Sequence, residues 1–155
     1  MKIRDTEDLL QSIRAHVKSS LNAKITAINT EKDDDYELET IPADDDHYVF
    51  AGELLDLPNH AFVNFSITEL LPTQARGNLA INPTMMIEVA FDNPKKAGTM
   101  FMSLRYMRAI YEALMDYQAD EVDDLQITLA QPMLVALTGR QLIVSGVGIT
   151  CGISN

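Results

Sequence analysis

Four consecutive side chains, Asp44, Asp45, Asp46 and His47, form the strongest chemical cluster in the sequence, because carboxylates beside an imidazole can hold a divalent cation. The same carboxylates are candidates for acid and base work, which also needs a nucleophile or a fixed oxyanion donor nearby. The spacing supplies neither. Consecutive residues of an extended chain point in opposite directions, and the calcium-loop pattern with its central glycine and twelfth-position glutamate is absent. His16 and His60, the other imidazoles, stand at no three- or four-residue step from His47 or from each other. A metal centre would have to be assembled across the fold, and His16, close to the apolar face of a helix, reads as a packed histidine. Cys151 is the only cysteine, so no intrachain disulfide forms, and it reads as a small buried apolar residue. Phosphate loop, dinucleotide glycine fingerprint and nucleophile elbow are all missing, since Gly146-Val147-Gly148 lacks a third glycine and opens no helix. The reading is of a non-enzyme with no catalytic residue, no metal and no cofactor.

The charge balance narrows the partners. Twelve basic residues face 23 acidic ones, a net charge of −11, and a surface of that sign repels phosphate backbones. Specific nucleic-acid binding is not expected. The acid is concentrated in a connection at 31–46, where nine carboxylates meet one cation, Lys32. Few apolar groups and like-charge repulsion predict a solvated, mobile segment there. No run approaches the roughly 18 apolar residues of a membrane span, and Met1-Lys2-Ile3-Arg4-Asp5 turns acidic where a signal peptide turns apolar. No membrane partner and a cytoplasmic site of synthesis are expected.

At 155 residues the chain is read as one domain, 1–155. Leu9, Leu10, Ile13, Val17, Leu21, Ile25 and Ile28 recur at helical steps, predicting a helix from 5 to about 30 capped by Asp5 or Thr6. Ser19, Ser20 and Asn22 predict a weak middle, with a kink or break near Ser20. A short strand at 47–51 follows, then a turn over 54–59. Alternation over 61–68 and again over 84–92 gives two better strands, and the 15 residues between them, 69–83, read as a protruding hairpin arm that reaches a neighbour. A second helix is expected over 99–118, capped by Thr99. Its apolar repeat is Met100, Phe101, Leu104, Met107, Ile110 or Tyr111, Leu114 and Met115, and Arg105, Arg108 and Glu112 share its polar side. The methionines, eight in all, read as adaptable core filling or, with Phe101 and Met86 facing outward, as part of a subunit interface. Strands at 125–129, 133–137 and 141–153 finish the chain, with a turn at 138–141. The class is α+β: an antiparallel-rich sheet packed with two amphipathic helices, in the order helix, strands, helix, strands.

Leu104-Arg105-Tyr106-Met107-Arg108-Ala109 in the second helix, followed by paired strands ending in Val144-Ser145-Gly146-Val147-Gly148-Ile149-Thr150, resembles the tail terminator, or tail completion, proteins of long-tailed bacteriophages. The likeness runs from the first helix to the last strand. It implies a non-enzymatic virion protein at the tail–neck junction, assembled in the bacterial host cytoplasm. Such a protein forms a six-membered ring on the tail tube, stops its polymerisation and docks the neck of the head. The implied partners are further copies of the chain, the tail tube protein and the neck or connector protein, with DNA passing through unbound. A closed ring needs two different patches per subunit, for which Leu71, Gln74, Arg76, Asn78, Arg105 and Arg108 are the candidates. Asp33, Asp34, Asp35, Asp44, Asp45 and Asp46 are candidates for an acidic channel wall that DNA slides past. Alternatives are another connector ring, a stopper or tail-to-head joining protein, and a small dimeric ligand-binding domain.

Overall fold

The computed structural model describes residues 2–53, 58–75, 78–137 and 140–153. Helix α1 (Thr6–Lys32) begins where the Asp5 side chain accepts from the Asp8 N–H, with Glu7 and Asp8 in the first turn, where negative charge suits the macrodipole. It ends at Asp33, left-handed at φ 45°, whose N–H returns to the Asn29 carbonyl. The break expected near Ser20 does not occur. Ser19 and Ser20 both donate their hydroxyls to the His16 carbonyl, so they are satisfied within the helix, and the buried stripe Leu9, Ile13, Val17, Leu21, Ile25, Ile28 runs past them uninterrupted.

The strands β1 (Tyr48–Phe50), β2 (Phe62–Ala75), β3 (Asn78–Phe91), β4 (Val122–Leu137) and β5 (Arg140–Ile153) form one sheet in the order β1-β2-β3-β5-β4. All neighbours are antiparallel except β1 with β2, where Tyr48 pairs Val63 in parallel. The fold is α+β. Val63, Phe65, Met85, Ile87, Val89, Phe91, Val147, Ile149 and Cys151 point to the helix side and share one core with α1 and with α2 (Thr99–Met115). On the opposite face Val49, Phe62, Ala90, Leu142 and Val144 make a smaller buried cluster.

Two elements are longer than their composition suggests. β4 is one strand instead of two pieces, with register shifts at Asp123/Gln126 and Ile127/Leu129. Pro132 is tolerated because β4 is the sheet's edge. Similarly, β2 and β3 stay paired through 69–83, down to Ala75 opposite Asn78. β3 pairs β5 only from Thr84 to Phe91, so beyond Thr84 the hairpin is a two-stranded ribbon, in which Pro72 and Pro83 each lie on a strand with a free edge. The turns expected at 54–59 and 138–141 fall at Leu54–Leu57 and Thr138–Gly139 outside the described residues.

α2 corrects the sequence reading twice. Thr99 is its first residue, not its cap: the cap is Gly98, at φ 70° and without a side-chain bond, while the Thr99 hydroxyl donates to the Lys96 carbonyl and accepts from Asn93. The buried face also shares only Ile110 and Leu114 with the expected one. It consists of Ser103, Arg105, Tyr106, Ala109, Ile110, Ala113 and Leu114, because small residues let the helix approach α1 and β5 closely. Met100, Phe101, Leu104, Tyr111 and Met115 are left outside.

Candidate functional site: a docked acidic strap, a bare helix face and a ribbon

The acidic segment is tied down along α1. Seven residues of α-helix rise about 10.5 Å, and three residues of extended chain cover about 10 Å. Asn22 and Asn29, seven apart on α1, therefore lie level with Ile41 and Leu38. Asn29 Nδ2 donates to the Leu38 carbonyl and its Oδ1 accepts the Leu38 N–H, both at 2.8 Å. Asn22 treats Ile41 in the same way, at 2.6 and 2.8 Å. Both apolar side chains are buried. The expected mobile connection is thus a strap running antiparallel to the helix, which composition hid because two residues in the acidic run carry its anchoring.

Arg105 and Tyr106 fasten the same strap from α2. The Arg105 guanidinium donates to both Asp34 oxygens, at 2.8 and 2.5 Å, and to the Tyr36 carbonyl at 2.8 Å. Donation from Arg105, then from the Tyr36 N–H, lowers the Asp34 carboxyl to about 2. Arg105 is 8% exposed and its guanidinium is engaged by Asp34 and Tyr36 within the chain. The Tyr106 hydroxyl donates to the Glu39 carbonyl. Tyr36 itself lies against Gly98, where a Cβ would collide with its ring.

The Asp44–His47 cluster divides. Asp44 bonds His47 Nδ1 at 2.6 Å, whereas Asp45 turns to Arg14 and Lys18, at 2.8 and 2.7 Å. Asp33, Asp35 and Asp46 are exposed. His47 meets His60 instead, their rings 6.1 Å apart, and His60 pairs with Glu39. Among the described residues no group of three metal-ligating side chains converges, and no helix is long and apolar enough to cross a membrane. His16 packs as expected, its Nε2 2.7 Å from the Ala113 carbonyl and its ring edge-on to Tyr117. Cys151 is buried, which pushes its thiol up to about 11.

The open surface is on α2 and the ribbon. Met100, Phe101, Leu104, Tyr111 and Met115 are exposed on one face of α2. Arg108 lies among them, held by Glu31 at 2.9 and 2.7 Å and by Glu112 at 2.7 Å; those two carboxylates raise its pKa. Met86 is half-buried and Leu70, on the ribbon, is exposed. Leu71, Gln74 and Asn78 fall on the ribbon by backbone pairing, but their side chains, and Arg76 altogether, lie outside the described residues. The strap, with Asn22, Asn29, Tyr36 and Tyr106, was missed from sequence. Its signal was the pair of asparagines seven apart beside an apolar stripe, answered by Leu38 and Ile41 three apart.

No protein-family model matches the chain, and no curated protein matches it.

Proposed function

We propose that the chain is a structural subunit of a long-tailed bacteriophage, a tail terminator whose copies close into a ring of about six on the tail tube and receive the neck. The observation that carries this reading is the β2–β3 ribbon. From Thr84 outward it leaves the sheet, and among the described residues both strands are unpaired on their outer sides, down to Ala75 and Asn78. A paired ribbon is stiff enough to reach a neighbour, and its free edges offer backbone donors and acceptors to another strand. The open edge of β4 on the same subunit is a second, different patch. Two unlike patches are what a head-to-tail ring requires. The exposed carboxylates of the strap suit a wall that DNA passes without adhering.

Co-sedimentation with cognate tail tubes tests it. The wild-type protein should pellet with the tubes and appear as a single ring at one end. A variant in which 70–82 is replaced by a tight turn should still unfold cooperatively on heating and stay in the supernatant. Wild-type protein that leaves tubes bare would remove the reading.

A further inference from the structure

Five large apolar side chains stand bare on α2: Met100 at 58% exposure, Phe101 at 55%, Leu104 at 46%, Tyr111 at 46% and Met115 at 61%. A contiguous apolar face of this kind marks an interaction site. Its arrangement says what fits it. Met100, Leu104, Tyr111 and Met115 are spaced four, seven and four residues apart, so the set maps onto itself when the helix is reversed. The flanking charges do the opposite. Exposed Lys95 and Lys96 precede the helix, whereas exposed Asp120 and Asp116, the latter also paired with Lys24 at 2.6 Å, follow it. A second α2 laid antiparallel would therefore set Met100 against Met115 and Leu104 against Tyr111, with lysines beside aspartates at both ends. The two helix dipoles favour the same sense. Arg108, near the midpoint, brings Glu31 and Glu112 with it, so the two guanidiniums that meet at the centre are already neutralised.

We propose that this face of α2 is covered by the same face of a second copy of the chain, the helices running antiparallel about a two-fold axis beside Arg108. A 17-residue helix is about 25 Å long, and a single helix pair buries less than the roughly 800 Å² per partner of a standard interface. The dimer is therefore reversible. It is isologous, and it leaves the ribbon and the sheet edges for other contacts. This pairing goes beyond the ring reading and does not depend on it.

Cysteine cross-linking of the free protein, without tubes, decides the matter. L104C and Y111C change exposed positions, and buried Cys151 keeps its thiol out of the reaction. With a short bismaleimide, an equimolar mixture of the two variants should give several-fold more covalent dimer than either alone. Sedimentation equilibrium should show a wild-type dimer that K95E/K96E weakens several-fold. No excess dimer in the mixture, L104C cross-linking to itself as readily, or a wild-type monomer at every concentration would overturn the proposal. A ring built through the ribbon and the sheet edge neither requires nor prevents the 104–111 cross-link, so the two readings fail separately.

Discussion

The side-chain amide of Asn29 bonds Leu38 twice, giving its N–H to the Leu38 carbonyl and taking the Leu38 N–H on its oxygen, each at 2.8 Å. A strand neighbour would offer Leu38 the same pair of bonds, so α1 holds an extended segment that no strand flanks among the described residues. Removing the amide leaves a donor and an acceptor beside a buried leucine without partners, each costing about 1–3 kcal/mol. Asn29→Ala should therefore lower stability by about 2 kcal/mol or more, a fall in Tm of roughly 4–8 °C at this chain length. Alanine is the better helix former, so a loss cannot come from helix propensity. Asn22→Ala should behave alike in thermal unfolding, and unchanged melting of both would show the strap to be unfastened.

Asp34 makes the strap's attachment pH-dependent. Its carboxyl sits at about 2, against an ordinary value of 3.8, because Arg105 and the Tyr36 N–H donate to it. A folded pKa below the unfolded one contributes stability that is fully present above pH 3.8 and is lost as pH falls through about 2. Asp34→Asn should be less stable than wild type at neutral pH, and the gap should close between pH 4 and pH 2. Denaturant melts across that window check it; a gap independent of pH would mean that the ion pair contributes nothing.

Gly98 is doubly constrained, by its φ of 70° and by the Tyr36 ring in the place of its Cβ. A left-handed alanine costs roughly 1–2 kcal/mol, and displacing Tyr36 adds to that. Gly98→Ala should lose about 2 kcal/mol or more. In a Tyr36→Ala background the same change should lose less, since only the backbone penalty remains, and a double-mutant cycle measures the difference. Equal losses in both backgrounds would separate Tyr36 from the cap.

Tyr48 is fully buried and its hydroxyl has no hydrogen-bond partner among the described residues. Burial, then the nearby Asp44 charge, pushes it up to about 12. An unsatisfied buried hydroxyl costs about 1–3 kcal/mol, so Tyr48→Phe should raise stability by about 1 kcal/mol in urea unfolding. A destabilised phenylalanine variant would reveal a bond to that oxygen.

Charge reversal of the strap separates its structural carboxylates from its free surface. Asp34 and Asp45 hold Arg105, Arg14 and Lys18, and reversing them would loosen the fold. Asp35 and Asp46 are exposed. Asp35→Lys with Asp46→Lys should leave Tm within about 1 °C, as surface changes do, yet lower infectivity of the phage if these carboxylates face the DNA. Full infectivity would remove them from the channel wall.

The helices and the alternating strands were legible because periodic burial writes itself into the order of residues, as Leu9 to Ile28 and Val63 to Ile67 do. The second helix was placed, but of its expected apolar face only Ile110 and Leu114 are buried. Both of its sides are apolar, and Ala109 and Ala113 are buried by virtue of being small, which hydrophobicity alone does not rank. The strap was hidden for another reason: its hold is long-range, from Asn29 to Leu38 and from Asp34 to Arg105, and charge density speaks only of repulsion. That Arg105 is engaged within the chain was equally hidden, because nothing in its own helix shows that Asp34 comes to meet it.

The most direct test of the central claim is the native mass of the protein by light scattering after size exclusion, with negative-stain images, first free and then with cognate tail tubes. Reversible dimers are expected in the free protein, and closed rings of about six subunits at tube ends that are lost when 70–82 is shortened. A protein that stays a monomer or dimer and leaves every tube end bare would contradict it.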